Sequence, residues 1–130
     1  MQTTWMMTTS AAALGFLGLA ATFLPREIAA RAGADGTGLA VLLLQLVGGL
    51  YVGFAMLNWS IRDMTVGGIY NRPIVIGNLL HFTVFGLTLV RVVAGGDRRP
   101  ALVALAVFYG LFAAWFGRAL FHSPTLDRQG

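Results

Sequence analysis

The sequence predicts an all-α polytopic membrane protein: four transmembrane helices in a compact bundle, with both termini on the same side. Three observations lead there. Apolar residues fill 57% of the 130 positions and charged residues only 11%, and the mean hydropathy is +0.75. Soluble domains carry roughly a quarter charged residues, so this chain has too little charge to cover a water-facing surface. Disorder is excluded by the same figures, because it needs low hydrophobicity and high net charge. The apolar residues also fall into four runs, each close to the roughly 20 residues that cross a bilayer core about 30 Å thick. Finally, every acidic residue (Glu27, Asp35, Asp63, Asp97 and Asp127) falls between or beyond those runs.

The first span runs from about Thr4 to Leu24 and stops at Pro25. Met1-Gln2-Thr3-Thr4 carries no basic residue, and further apolar runs follow, so this segment reads as a retained helix and not as a signal peptide. Pro25-Arg26-Glu27-Ile28-Ala29-Ala30-Arg31 is a short amphipathic stretch suited to the membrane interface. Gly33, Gly36 and Gly38 break it before the second span, Gly38 to Trp59. The third span covers Pro73 to Ala94 and the fourth Pro100 to Phe121. Pro73 and Pro100 stand in the first turn of their helices, where the missing N–H costs least. Gly95-Gly96 supplies the stop after the third. No linker or low-complexity tract interrupts the pattern, so residues 1–130 read as a single four-helix transmembrane domain.

The net charge of +4 is the balance of nine arginines and five acidic residues, and the arginines are scattered between apolar runs. They form no basic stripe, which argues against nucleic acid and for interfacial anchors that meet anionic lipid head groups. Four spans would place Arg62, Arg72, Arg118 and Arg128 on the side of the termini, and Arg26, Arg31, Arg91, Arg98 and Arg99 on the other. The positive-inside rule then leans towards termini on the non-cytoplasmic side. In hydropathy more than in motifs, the chain resembles small bacterial four-helix membrane proteins, which implies a bacterial inner (cytoplasmic) membrane. With no cysteine in the chain, disulfides, thiolate metal sites and cysteine nucleophiles are excluded.

Small residues let transmembrane backbones approach closely. The first span carries Ala11, Gly15, Gly18 and Thr22; the fourth carries Ala106, Gly110, Ala113 and Gly117. The second has a GxxxG seam at Gly49 and Gly53. Most such seams serve packing within the chain, and one of them facing a second copy would give a homo-oligomer.

Polar groups in hydrocarbon need a reason to be there. The second span holds Gln45, Tyr51 and Asn58, and the third holds Asn78, His81, Thr88 and Arg91. At 100° per residue the latter four span an arc of roughly 140°, a stripe expected to look into the bundle. His81 is either a helix-to-helix hydrogen-bond donor, towards Asn58 or Gln45, or a ligand or proton carrier. His122 lies at the end of the fourth span, too far along the membrane normal to share a metal with His81. A bis-histidine haem would therefore need His81 from two copies, and no metal site is otherwise expected. With no carboxylate inside a span, cation export coupled to protons or sodium and paired-carboxylate acid–base catalysis are both disfavoured. Ser10, Ser60 and Ser123 read as terminal or interfacial, which leaves no serine triad. Trp115 sits deeper than a belt residue and is expected to pack against a neighbouring helix.

The densest chemistry surrounds the second loop. Arg62 and Arg72 approach one interface, flanked by Trp59 and Tyr70, above Asn78 and His81. An aromatic belt with snorkelling arginines accounts for it. So does a head-group site, in which the arginines hold a phosphate or carbonyl oxygen and Asn78 and His81 donate from below. Three functions follow: a non-enzymatic packing or accessory subunit, self-associating or part of a larger membrane complex; a binder of a lipid or quinone-like amphiphile at that cluster; or an oligomeric pore or small transporter lined by the third span. The residues offer donors but no nucleophile, so the reading leans away from an enzyme.

Overall fold

The computed structural model describes residues 2–36, 38–64, 69 and 71–122. It is all-α: α1 (Gln2–Phe23), α2 (Pro25–Arg31), α3 (Leu39–Ser60), α4 (Asn71–Ala94) and α5 (Pro100–His122). Four of these, α1, α3, α4 and α5, are long and apolar enough to cross a membrane. The helices pack pairwise, α1 with α3 and α4 with α5, in two compact units, Met1–Arg62 and Asp63–Gly130.

Each boundary has a local cause. Pro25 lacks an N–H and begins α2 at its first position, which ends α1 at Phe23. The expected amphipathic stretch is α2: Pro25 and Ala29 are buried, while Arg26, Glu27 and Arg31 are exposed. The α2 and α4 C-termini close alike. Ala34 N–H donates to Ala29 O and Gly33 N–H to Ala30 O; Asp97 N–H donates to Val92 O and Gly96 N–H to Val93 O. This pairing needs its first donor in the left-handed region, and Gly33 (φ 80°) and Gly96 (φ 113°) adopt it without a Cβ clash. After Gly96, Asp97 accepts from Arg99 through both carboxylate oxygens, with Nε at 2.9 Å and Nη2 at 2.7 Å. Pro100 then opens α5.

In the first unit α1 and α3 run antiparallel, with small residues at the seam. A Cβ on Gly15 would stand 3.6 Å from the Ala55 Cβ, an ordinary contact. One on Gly48 would stand 2.5 Å from Thr22 Oγ1 and 2.8 Å from both Gly18 O and Thr22 N. Only hydrogen fits there, so the two backbones touch. The small face of α1 meets α3 at Gly48, Val52 and Ala55, and the buried set on α3 is Gly48, Tyr51, Ala55 and Asn58. At about 100° per residue that set spans roughly 80°. Gly49 and Gly53 lie on the opposite side, where an added Cβ meets no atom within 4 Å among the described residues.

In the second unit the α4–α5 interface is aromatic. Phe82 is fully buried and stacks on Phe112 and Phe116, at centroid distances of 4.9 and 5.5 Å, with Tyr109 also 5.5 Å away. Gly86 makes room by meeting the Tyr109 backbone, 3.6 Å from its would-be Cβ. On the α5 seam, a Cβ at Gly117 would stand 3.7 Å from Leu79 Cδ1, whereas one at Gly110 meets nothing within 4 Å among the described residues. Ring stacking and close contact, not hydrophobic transfer, supply the attraction between helices whose surroundings are equally apolar.

Candidate functional site

The residues singled out in the sequence fall into two groups, one in each unit. At the end of α3, Arg62 places its guanidinium carbon 4.1 Å from the centroid of the Trp59 ring. Its Nη1 donates to the Trp59 carbonyl at 2.7 Å. Such a stack holds a flexible arginine in one place while its charge stays at the interface. Trp59 also lines a groove with Ala11, Ala12, Ala55 and Met56, of about 290 Å³. Ala11 and Ala55 are buried, whereas Met56 (60% exposed) and Trp59 (49% exposed) form an open rim.

The second group lies on α4. Arg72 is exposed in its first turn. Asn78 is fully buried, and its Nδ2 donates to Ile74 O at 2.9 Å, one turn back on the same helix. His81 is half-buried among Phe82, Phe85 and Tyr109, with ring centroids at 5.1, 4.8 and 5.7 Å. Tyr70 lies outside the described residues, as do Thr65 to Gly68 of the same loop.

The polar stripe on α4 divides. Buried positions Asn71, Val75, Asn78, Phe82 and Gly86 occupy an arc of roughly 80°, with Thr88 and Arg91 about 120–180° from its centre. Both are exposed, and the Thr88 hydroxyl donates to Val84 O at 2.8 Å. Threonine can satisfy itself on its own helix in this way, so its presence in a span does not require a partner helix. Gln45 is likewise exposed, while Tyr51 is buried. Trp115, expected to pack, is 37% exposed, with its ring 6.0 Å from Phe112 on the same helix.

Asn58 is fully buried, and its Nδ2 donates to Ser10 Oγ at 3.0 Å. Ser10 in turn donates to Met7 O at 3.0 Å. This corrects the placing of Ser10 as terminal or interfacial: it is a fully buried member of the α1–α3 interface. Its position inside the first span, between Met6-Met7 and Ala11-Ala12-Ala13, was the available signal. Asn71, passed over in the sequence, is also buried and donates from Nδ2 to Met64 O at 3.1 Å, which ties the start of α4 to the preceding loop. The aromatic cluster was missed as well. Phe108, Phe112 and Phe116 recur every four residues on α5, the spacing of one helix face.

Among the described residues, no group of three or more His, Cys, Asp or Glu side chains could hold a metal ion. Comparison with protein-family models, with curated proteins and with solved structures finds no match to this chain. The fold itself defines the class: this is a small four-span helical membrane protein.

Proposed function

We propose that the protein is a non-enzymatic accessory subunit or scaffold, which works through its helix surfaces and associates with a second copy of itself. The observation that supports this reading is the two-sided use of α3. One side of it, at Gly48, is closed against α1 at backbone contact. On the other, Leu42, Leu46, Leu50 and Leu57 are exposed around Gly49 and Gly53, all within roughly 100° of arc. A glycine floor between leucine ridges is the relief against which a second helix packs well in lipid. The buried polar side chains fit the same reading, since Asn58 and Asn78 make structural bonds.

Native mass spectrometry from mild detergent tests this, with wild type compared with a Gly49→Leu/Gly53→Leu variant. The expected result is a homo-oligomer that the double substitution reduces to monomer while helicity is unchanged. A wild type that stays monomeric across concentrations would overturn it.

A second reading, binding of an amphiphile at the membrane interface, is favoured by the Arg62–Trp59 stack beside the α1–α3 groove.

A further inference from the structure

We infer that the groove between α1 and α3 seats the upper acyl chain of an anionic phospholipid, whose phosphate is held by Arg62. The inference rests on the second reading above and adds the ligand's class and the place of its chain. The groove walls are apolar, formed by Ala11, Ala12, Ala55, Met56 and the Trp59 ring. Three alanines in a region of longer side chains leave the dent. Its volume of about 290 Å³ is at the small end of ligand cavities, roughly 300–1,000 Å³. That accommodates a length of alkyl chain.

Its position fits a lipid. From Trp59 to Ala55 the α3 axis advances about 6 Å at 1.5 Å per residue, so the groove descends from the interface into hydrocarbon. Arg62 is fixed at the interfacial end by two contacts to Trp59, the residue that also lines the groove. A guanidinium matches phosphate oxygens in charge and in donor geometry, and phosphate is where a phospholipid's charge lies. The Arg62 guanidinium at the mouth favours an anionic head, against the neighbouring Asp63 carboxylate, while the dent accepts the chain below it.

The test uses the full chain in nanodiscs, with Trp5→Phe and Trp115→Phe leaving Trp59 as the sole tryptophan. Its quenching is read with phosphatidylglycerol or phosphatidylcholine brominated near the top of the acyl chain, at equal low mole fraction. Stronger quenching by phosphatidylglycerol, by about threefold or more, is expected. Arg62→Gln should remove that preference, and Ala12→Leu, which fills the exposed rim, should reduce quenching by phosphatidylglycerol, with far-UV dichroism unchanged in both. Equal quenching by the two lipids in the parent would overturn this inference; if Ala12→Leu also left that quenching unchanged, the reading beneath it would fall as well. A preference that Arg62→Gln abolishes but Ala12→Leu leaves intact would overturn the groove alone.

Discussion

Gly48→Ala tests the tightest approach at any glycine among the described residues. The added Cβ would lie 2.8 Å from Gly18 O and Thr22 N and 2.5 Å from Thr22 Oγ1. Two of those three atoms are backbone, so no rotamer change relieves them. To restore ordinary contact near 3.5 Å, α1 and α3 must part by about 0.7 Å, and a gap of that size forfeits a quarter to a half of each pairwise attraction along the seam. Overpacking of this kind costs about 1–3 kcal/mol. Alanine also returns about 1 kcal/mol of helix propensity relative to glycine, which would blur the reading of a single variant. Gly15→Ala removes the ambiguity, because it receives the same propensity gain on the same seam, where its Cβ would stand an ordinary 3.6 Å from the Ala55 Cβ. The difference between the two variants is then the overpacking cost, about 5- to 150-fold in the unfolding equilibrium. Unfolding in mixed micelles, followed by energy transfer between dyes on Trp5→Cys and Ser60→Cys, measures it; the chain has no native cysteine to interfere. Gly48→Ala as resistant to denaturant as Gly15→Ala would refute the backbone contact.

Two further outcomes are expected. A double-mutant cycle of Asn58→Ala with Ser10→Ala, in the same unfolding assay, should give a coupling of about 0.6 kcal/mol and no more than about 1.7 kcal/mol, the range of hydrogen bonds between helices in lipid; zero coupling would separate the two side chains. Hydrogen bonding to Arg99 holds the Asp97 carboxyl below the usual aspartate range, so the turn gains stability above the unfolded-state value near 3.9 and loses it as pH falls through the lower folded one; an NMR titration of Asp97 should show the low midpoint, which Arg99→Gln raises.

Much of this architecture was readable in advance, because its causes are local. Span length follows from hydropathy, and Pro25, Pro100 and Gly96 stop or start helices through their own backbone chemistry. The choice between faces was not local. Gly48 and Gly49 are adjacent and equally small, and only the surface of α1 decides which of them meets a backbone. Asn58 had several polar candidates within reach by depth, and its pairing with Ser10 depends on the register of α1 against α3. At the candidate site, Trp59 and Arg62 are three residues apart, and their stack follows from helix geometry. The groove beside them requires two helices at once and has no signature in either alone. On α4, Thr88 misled because a hydroxyl can turn back to its own helix.

The short Gly95–Arg99 turn, with the Asp97–Arg99 staple across it, bears on how the protein is made. Because α5 follows α4 after so few residues and packs directly on it, the pair can leave the insertion machinery as one hairpin, each helix shielding the aromatic face of the other. The α1–α3 pair is different: α1 waits in the bilayer through the synthesis of α2 and the loop before Gly48 arrives to meet it. The Ser10 hydroxyl donates to Met7 O on its own helix, a bond that does not depend on α3, so its proton has an acceptor whether or not Asn58 is in place.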